Sequence, residues 1–437
     1  MGPFMISSVN VALPAIQADL GMNAVQLSWV ATAYLLAVAI GLIPAGKIAD
    51  IHGRKRVFSM GLIVYTLSAT AAAFGHSTTW LLGCRVMQGL GASMFVTTGM
   101  AILSSIFPSK RRGRAIGLYV AAVYVGLSAG PFAGGLLTQH FGWRSIFLTM
   151  GPLGLGSIAI TFLFLKGEWF DDRSQRLDIL GTSIYSLAIL AVVFGASILP
   201  YLSGGLLIIA GLAGLFLFFQ QQRQARYPVF EVSLFSENRT FAFSSLAALL
   251  NYSATFAVTF LMSLYLQYIK GMPPQSAGAV LMAQPVMMAV FSPIAGRLSD
   301  RMEPRLLASA GMGMTVIGMA VFTQLTPATP MAVLLANLLF LGLGFALFSS
   351  PNMSAIMGAV EPRHYGVASG AVATMRLLGQ MVSMAIATVA LGLLVGRQAI
   401  SPDNFDRFLV AIRTVFTVSA LLCGIGVYFS LFRGKLR

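Results

Sequence analysis

The sequence predicts an all-helical integral membrane protein with fourteen transmembrane helices. Of its 437 residues, 57% are hydrophobic and only 9% are charged, whereas charged residues make up about 25% of an average soluble domain. Apolar segments of membrane-spanning length recur along the whole chain, which a single cleaved signal peptide would not explain. Lys and Arg concentrate in alternate loops between those segments. These observations together place the chain in a lipid bilayer.

Fourteen segments come near the roughly 20 apolar residues that a helix needs to cross the bilayer core. The first is the shortest, because it begins almost at Met1. The predicted spans are about 3–18, 26–46, 57–75, 79–103, 114–137, 144–165, 177–198, 202–221, 240–266, 276–296, 306–325, 331–352, 366–395 and 408–432.

The distribution of basic residues indicates the topology. With the N-terminus in the cytoplasm, the cytoplasmic loops and the C-terminus hold 21 of the 28 Lys and Arg, and the opposite side holds five. This asymmetry follows the positive-inside rule, and one missed helix in the middle of the chain would destroy it. We therefore expect a multi-pass protein of the inner (plasma) membrane with both termini in the cytoplasm.

Several classes of function are excluded by composition and motifs. The net charge of +15 arises from short loops between apolar segments, which favours topology and anionic lipid headgroups over nucleic acid. The two cysteines and four histidines are dispersed and predict no metal site. The phosphate-binding loop of ATP-driven pumps is missing from the sequence. We expect no enzyme activity and no cofactor, and as partners a small-molecule substrate and the bilayer; a monomer is compatible with the sequence.

The two ends of the chain resemble each other at an offset near 253 residues. The repeat predicts two six-helix bundles, at 1–165 and 240–437, with two inserted helices and their linkers at 166–239. Two similar halves around a central site are typical of alternating-access transporters, although channels also use repeats. The aligned positions are Gly89–Gly91 with Gly342–Gly344, Gly113, Ala115 and Gly117 with Gly366, Ala368 and Gly370, and Gly126 with Gly379.

A stripe of glycines marks the fifth predicted span. Gly126, Gly130 and Gly134 recur every four residues and so share one helix face. A stripe without side chains lets another backbone come very close. Pro131 removes one backbone donor and bends the helix. Together with Gly135, these residues predict a bent helix at an interface between moving parts.

The loop after the second predicted span combines glycines with one carboxylate among basic residues, at Gly46, Asp50, Gly53, Arg54 and Lys55. Asp50 is expected to pair with an arginine or with the positive N-terminus of a neighbouring helix. Such a pair would hold one transport state closed, as a latch. A solvated basic loop that only fixes topology explains the charges equally well. A weaker copy of the loop in the second half contains Gly296, Asp300 and Arg305.

This first loop resembles the signature loop of the major facilitator superfamily, G-x-L-a-D-r-x-G-r-k. It departs from that pattern at Ile48 and Ile51, where the superfamily has leucine and arginine. Three further segments resemble superfamily motifs: R-x-x-q-G-x-g of the fourth helix, the g-x-x-x-G-P-x-x-G-G motif of antiporters, and the first-helix motif of fourteen-helix drug:proton antiporters. They are Arg85–Gly91, Gly126–Gly135 and Val9–Pro14. The resemblance implies secondary transport by antiport.

Two arginines, Arg85 and Arg376, lie within predicted spans. A charge at the bilayer centre costs roughly 2.5–3.5 kcal/mol on insertion scales, so it usually faces the bundle interior and serves a function. Gln88 shares a helix face with Arg85, and the resemblance implies a role for Arg85 in proton coupling or substrate polarity. A structural arginine bonded to carbonyls is the alternative. Arg376, followed by Gln380, has no named motif and either lines the cavity or joins helices.

The expected proton carrier is missing from the spans. All 13 Asp and Glu lie at or near helix ends or in loops, and Met5 stands where the related first-helix motif has an aspartate, five residues before Asn10. Proton antiport needs a group that titrates when the substrate leaves, commonly a buried carboxylate. Asp19, Asp50 and Asp178 remain as candidates because carboxylates at helix ends can face a water-filled vestibule.

The residues that could line a cavity are mainly apolar. The chain has 31 Phe and 23 Met but few polar residues such as Asn10 within its spans, a composition that suits soft recognition of lipophilic molecules. We expect a proton-coupled exporter of amphipathic compounds, of the multidrug type, driven by the proton gradient through alternating access. A dedicated metabolite or lipid exporter of the same fold is one alternative. A non-transporting membrane sensor or scaffold is another.

Overall fold

A computed structural model describes residues 1–106, 109–170, 177–225, 232–299, 301–360 and 365–434. The regular structure in these ranges is entirely helical. The helices of the first 225 residues are α1 (Gly2–Leu20), α2 (Ala24–His52), α3 (Arg54–Ala73), α4 (Thr78–Ile106), α5 (Ser109–Phe141), α6 (Arg144–Leu148), α7 (Met150–Phe164), α8 (Ile179–Ser197) and α9 (Leu202–Gln224).

The later helices include one π-helical turn (Tyr265–Ile269) and one 3₁₀ turn (Pro402–Asn404). The π turn extends α12, and the 3₁₀ turn leads into the last helix. The α-helices are α10 (Ser233–Glu237), α11 (Arg239–Thr255), α12 (Ala257–Leu264), α13 (Pro274–Leu281), α14 (Ala283–Ser299), α15 (Pro304–Phe322), α16 (Met331–Gly358), α17 (Tyr365–Leu394) and α18 (Phe405–Phe432).

Twelve helical segments in the described ranges are long and apolar enough to cross a membrane. The predicted multi-pass, all-helical class is therefore confirmed. Helices suit a bilayer core because all their backbone groups bond within the segment. Helices α1 and α5 are not among the twelve, so the count of fourteen is not confirmed. Both carry small and polar residues on the faces that pack together, such as Ser7 and Ser8 on α1 and the glycines of α5.

Local signals set several helix ends. Asn23 caps the start of α2 in a capping box. Its side chain accepts from the Gln26 N–H at 2.8 Å, and the Gln26 side chain accepts from the Asn23 N–H at 3.0 Å. Gly21 ends α1 in the left-handed conformation, with φ of 62°. Asp178 caps α8 by accepting from the Gly181 N–H at 2.8 Å.

Helix contacts group α1 with α5, and α2 and α3 with α4, in the first half of the chain. In the second half, α11 packs against α17 and α18, and α16 packs against α14 and α15. The two halves meet where α5 contacts α13 and α14 and where α2 contacts α17. We call these contacts between 1–165 and 240–437 the seam. Helices α8 and α9 form a hairpin, and α8 packs against both α2 and α17.

Candidate transport pathway along the seam

The glycine stripe of α5 lies against α1. A Cβ added to Gly134 would lie 2.6 Å from the Ser8 Cα, and one added to Gly130 would lie 2.8 Å from the Phe4 carbonyl oxygen. A Cβ added to Gly126 would lie 3.4 Å from the backbone nitrogen of Phe4. Helices in lipid associate through such close backbone packing. Any side chain at Gly130 or Gly134 would push α1 and α5 apart.

A second face of α5 touches the other half of the chain. A Cβ on Gly135 would lie 2.9 Å from the Gln275 Cα at the start of α13. One turn earlier, the Pro131 carbonyl packs directly against Gly278 of α13. The segment that resembles the antiporter motif therefore joins α1 on one side to α13, across the seam, on the other.

Hydrogen bonds also link α1 to the second half. The Ser263 hydroxyl donates to the Asn10 carbonyl oxygen at 2.7 Å, and Gln267 Nε2 donates to the Val11 carbonyl oxygen at 2.9 Å. The next residue, Tyr268, donates from its hydroxyl to Gln17 near the end of α1. These bonds run from the middle of α1 to the end that the charge distribution predicts to face outwards.

The α2–α17 contact is bonded at the same end. The Ser28 and Thr388 hydroxyl oxygens lie 2.9 Å apart, and both residues are buried. The Ala24 N–H donates to the carbonyl oxygen of Gln398 at 2.9 Å. The two halves are thus held together by bonds from α12 and its π turn to α1 and by bonds between α17 and α2.

The loop between α2 and α3 forms its ion pair within one half. Asp50 Oδ1 accepts from Arg54 Nη2 at 2.8 Å and from Arg54 Nε at 3.0 Å. Arg54 also donates from Nη1 to the Ser105 hydroxyl of α4 at 2.8 Å. Of the two partners expected for Asp50, the structure shows an arginine. Gly46 lies further back on α2, where a Cβ would contact Thr97 of α4 at 3.0 Å.

Glu168, which sequence reasoning missed, caps the start of α3. Its Oε1 accepts from the Lys55 N–H at 2.7 Å, while the Trp169 carbonyl accepts from the Arg54 N–H at 2.9 Å. Gly53 has a φ of 113°, and a Cβ there would lie 2.6 Å from the Glu168 Cδ. A carboxylate beside free N–H groups stabilises a helix N-terminus. The only sequence signal was an acidic residue soon after the sixth span.

The structure describes only part of the corresponding loop in the second half. Asp300 lies outside the described residues. Gly296 is in ordinary contact with Ser350 of α16, at 3.8 Å from an added Cβ. The Arg305 Nε is buried without a hydrogen-bond partner in the described part of the chain. A latch at Gly296, Asp300 and Arg305 therefore stays a prediction.

Arg85 is buried inside the first half among neutral groups. Its Nε donates to the Val30 carbonyl oxygen at 2.9 Å, and its Nη1 donates to Gln88 Oε1 at 2.5 Å. Its guanidinium lies over the Tyr34 ring, with the carbon 4.5 Å from the ring centroid. Only 1% of Arg85 is exposed. An arginine held in one orientation without a counter-charge creates a fixed positive potential in the bundle.

Asn10 and Gln88 retain unused bonding capacity. The Asn10 Oδ1 and the Gln88 Nε2 are buried without hydrogen-bond partners among the described residues. Buried polar atoms are normally satisfied, because an unpaired one costs free energy. Both atoms therefore carry a free-energy cost in the described state.

Two of the candidate carboxylates are poorly suited to carry protons. A hydrogen bond from Arg144 Nη1 at 2.7 Å, with a second from Trp143 Nε1 at 3.2 Å, lowers the pKa of Asp19. Partial burial alone would raise the pKa of Asp178, but hydrogen bonds from Gly181, Gln221 and Gln222 lower it in sum. Both groups are ionised at neutral pH.

Arg376 and Gln380 lie one turn apart on α17, and both are half-buried. The Arg376 guanidinium lies beside the Tyr252 hydroxyl of α11 and within electrostatic range of Tyr119 on α5. Sequence reasoning left Arg376 open between lining a cavity and joining helices. It missed the tyrosines, because their proximity depends on how α5, α11 and α17 pack.

Comparison with known proteins agrees with the geometry. The sequence model of the Major Facilitator Superfamily matches residues 1–235, 177–384 and 244–435. The riboflavin transporter RibZ of Clostridioides difficile is 30% identical over 434 residues, which cover 98% of this chain and 93% of that protein. The multidrug resistance protein Stp of Mycobacterium tuberculosis is 30% identical over 398 residues, covering 88% of this chain and 73% of that protein.

A solved structure of a bacterial homologue of the human drug peptide transporters PepT1 and PepT2 shares the fold, with a TM-score of 0.69. It is 16% identical, and the match covers 99% of this chain and 95% of that one. The predicted membership of the superfamily is confirmed by the sequence model and by these relatives. The chain belongs to the major facilitator superfamily and is a multi-pass membrane transporter of small molecules.

Proposed function

We propose that this transporter exports amphipathic and lipophilic small molecules by proton antiport with alternating access. In this proposal two six-helix bundles, at 1–165 and 240–437, rock about a central pathway, and 166–239 contributes two inserted helices. Both termini lie in the cytoplasm, so the bonded end of the seam is the outer end. The described state would then receive its substrate from the cytoplasm.

Fourteen membrane crossings belong to this proposal, with α1 and α5 added to the twelve more apolar segments. The two helices pack against each other inside the fold. Buried Ser8 and Asn10 on α1 and the glycines of α5 lower their hydropathy but serve contacts with protein rather than lipid. An even count also keeps both termini on the side where Lys and Arg concentrate.

The observation that carries the proposal is the position of α5 between α1 and α13. Backbone meets backbone at Gly134 on one face and at Gly135 and Gly278 on the other. A contact without interlocking side chains can separate and re-form as one bundle rocks against the other. In secondary transporters the movement of repeats around a fixed site produces alternating access.

Proton coupling is assigned to the region around Arg85. Asp19 and Asp178 are held ionised by their hydrogen bonds, and Asp50 is engaged with Arg54. The buried guanidinium of Arg85 sets the potential that a proton or a charged substrate meets in the first half. Loss of its charge should therefore uncouple substrate movement from proton movement.

A dedicated metabolite exporter is the second candidate, favoured by one relative. The riboflavin transporter of Clostridioides difficile aligns with 98% of this chain. The multidrug resistance protein of Mycobacterium tuberculosis aligns with less of it, 88%, at the same identity. A single aromatic metabolite is therefore a substrate that should be tested beside the drug-like compounds.

The test uses the purified full chain in proteoliposomes that contain a pH-sensitive dye. Ethidium and riboflavin are supplied in turn under an imposed pH gradient. We expect substrate and protons to move in opposite directions, and a protonophore or Arg85→Gln to abolish gradient-driven accumulation. Arg397→Gln is the matched control, since Arg397 is an exposed arginine after α17 that stacks over Tyr201.

Each other outcome has a defined meaning. Transport of riboflavin but not of ethidium would establish the second candidate in place of the first. Substrate flux that ignores both the pH gradient and the protonophore would overturn proton antiport. Absence of flux for a panel of cationic, neutral and anionic aromatic compounds would overturn export itself.

A further inference from the structure

One arginine and three tyrosines gather where the two halves meet. Arg376 is contributed by α17 and Tyr252 by α11, while Tyr119 and Tyr124 come from α5 across the seam. The Tyr252 hydroxyl lies beside the Arg376 guanidinium and the Ser349 hydroxyl of α16, with Tyr124 in electrostatic range. Tyr119 is also in electrostatic range of Arg376. We call these four residues and Ser349 the Arg376 cluster.

Close helix packing positions the cluster. Gly379 lies one turn after Arg376 on α17, and a Cβ there would be 2.8 Å from the Tyr252 Cβ. The missing side chain brings α11 against α17, so that Tyr252 stands next to Arg376. The Tyr252 ring is fixed from behind by Phe345, edge to face, with ring centroids 5.4 Å apart.

The cluster lies away from the bonded end of the seam. Arg376, Tyr119 and Ser349 sit in the half of their helices that begins or ends on the predicted cytoplasmic side. Tyr124 and Tyr252 lie near the middle of their spans. Arg376, Tyr119, Tyr124 and Tyr252 are all half-buried rather than sealed in the core. The guanidinium and the phenol rings are therefore placed to meet a molecule that enters from that side.

Among the described residues, Arg376 forms no ion pair with a carboxylate. The ion pairs among the described residues, Asp50–Arg54 and Asp19–Arg144, both lie near helix ends. All 13 carboxylates of the chain lie at or near helix ends or in loops. The group beside the Arg376 guanidinium is the neutral Tyr252 hydroxyl. A cation at this depth is costly without a partner, and an anionic ligand would supply one.

We propose that the Arg376 cluster is a binding site for flat aromatic anions, and that such compounds are the preferred substrates of the exporter. The guanidinium would pair with a carboxylate, sulfonate or phosphate through charge-assisted hydrogen bonds. The tyrosine rings would pack on the aromatic part, and their hydroxyls would bond its polar edge. The substrate role rests on the proposed export function, whereas binding does not. Lipophilic cations are disfavoured by the same charge.

Three fluorescent probes test the site by binding to the purified full-length chain in detergent. Flavin mononucleotide is an aromatic anion, riboflavin has the same ring without the phosphate, and ethidium is an aromatic cation. We expect flavin mononucleotide to bind most tightly and ethidium most weakly. Arg376→Gln should weaken flavin mononucleotide binding by about tenfold or more, which is the size of a lost charge-assisted bond, and should narrow its advantage over riboflavin.

Two further variants separate the contribution of the arginine charge to binding from that of the tyrosine. Arg376→Lys keeps the charge and should retain part of the preference for the phosphate. Tyr252→Phe keeps the ring and should weaken all three probes by a smaller factor, on the order of a few-fold. Arg397→Gln removes an exposed arginine just after the same helix and should change nothing. Thermal unfolding of every variant shows whether a loss of binding reflects misfolding. If Arg376→Gln is misfolded, the binding preference of Arg376→Lys tests the site instead.

The results distinguish this site from the export function. Equal binding of the anionic and neutral flavins, or unchanged anion binding in Arg376→Gln, would overturn the site even if proteoliposomes export ethidium against a proton gradient. Anion binding that depends on Arg376, in a chain that exports nothing, would overturn export and leave the site standing.

Discussion

The Ser8 hydroxyl donates a 2.8 Å hydrogen bond to the Gly130 carbonyl oxygen, and both groups are buried. The bond ties α1 to α5 at the middle glycine of the stripe. Ser7, its neighbour, instead bonds the Pro3 carbonyl of its own helix at 2.9 Å. Both hydroxyls are thus satisfied at a contact that excludes lipid. Helices α1 and α5 meet the second half of the molecule as one unit.

Gly130→Ala should destabilise this unit. The new methyl group would lie 2.8 Å from the Phe4 carbonyl oxygen and overlap the Ser7 hydroxyl. Overpacking costs about 1–3 kcal/mol, which exceeds the roughly 1 kcal/mol that alanine gains over glycine in a helix. We expect a lower unfolding temperature of the purified protein and a reduced transport rate in proteoliposomes.

The matched control for this substitution is Gly156→Ala on α7, where an added methyl group would meet no heavy atom within 4 Å. Only the gain in helix propensity then applies, so the unfolding temperature should stay the same or rise. Equal destabilisation by both substitutions would show that the packing of α5 on α1 is not what makes Gly130 intolerant.

Glu168→Ala should destabilise the loop that carries Asp50 and Arg54. The substitution removes the acceptor of the Lys55 N–H, and the loss of a helix cap typically costs about 0.5–2 kcal/mol. Glu168→Gln keeps an acceptor oxygen and should lose less. Hydrogen exchange at the Lys55 amide measures the effect directly. Slow exchange that persists in Glu168→Ala would exclude the capping role.

Asp19→Asn should lower stability equally at about pH 5 and at about pH 7.5. The Arg144 hydrogen bond lowers the pKa of Asp19 below its usual value near 3.8. Stabilisation from a carboxylate of lowered pKa is complete above the unfolded-state pKa and is lost only as pH falls through the folded-state pKa. Between those two pH values the group stays ionised.

The difference in unfolding temperature between the wild type and Asp19→Asn, measured at both pH values, checks this prediction. Proton-coupled transport should also keep its pH dependence in the variant, because Asp19 does not titrate in that range. A transport pH profile that shifts in Asp19→Asn would instead make Asp19 a proton carrier and reverse its assignment.

The helical segments were predictable because a bilayer core imposes a plain rule. Apolar runs long enough to cross the bilayer must form helices that satisfy their own backbone groups. Each of the fourteen predicted segments overlaps a described helix. Interruptions escaped prediction, such as the break at Thr149 between α6 and α7 and the π turn at Tyr265–Ile269. They shift hydrogen bonds without changing hydropathy.

For the site, the sequence predicted only features that lie within a single helix. The four-residue spacing predicted that Gly130 and Gly134 share a face, and in the structure both face α1. Spacing does not say which helix meets that face. The cap of α3 by Glu168, 113 residues from Lys55, and the placement of Tyr252 beside Arg376 are set by tertiary packing, so no local pattern announces them.

Alternating access requires that the outer end of the seam opens in each transport cycle. The Ser28 and Thr388 hydroxyl oxygens lie 2.9 Å apart there, so sulfurs at these positions could form a disulfide. The measurement is transport by Ser28→Cys/Thr388→Cys, with Cys84 and Cys423 replaced by serine, before and after oxidation. We predict that oxidation cross-links α2 to α17 and stops transport, and that reduction restores it. A cross-linked protein that transports at the rate of the reduced one would contradict alternating access across this seam.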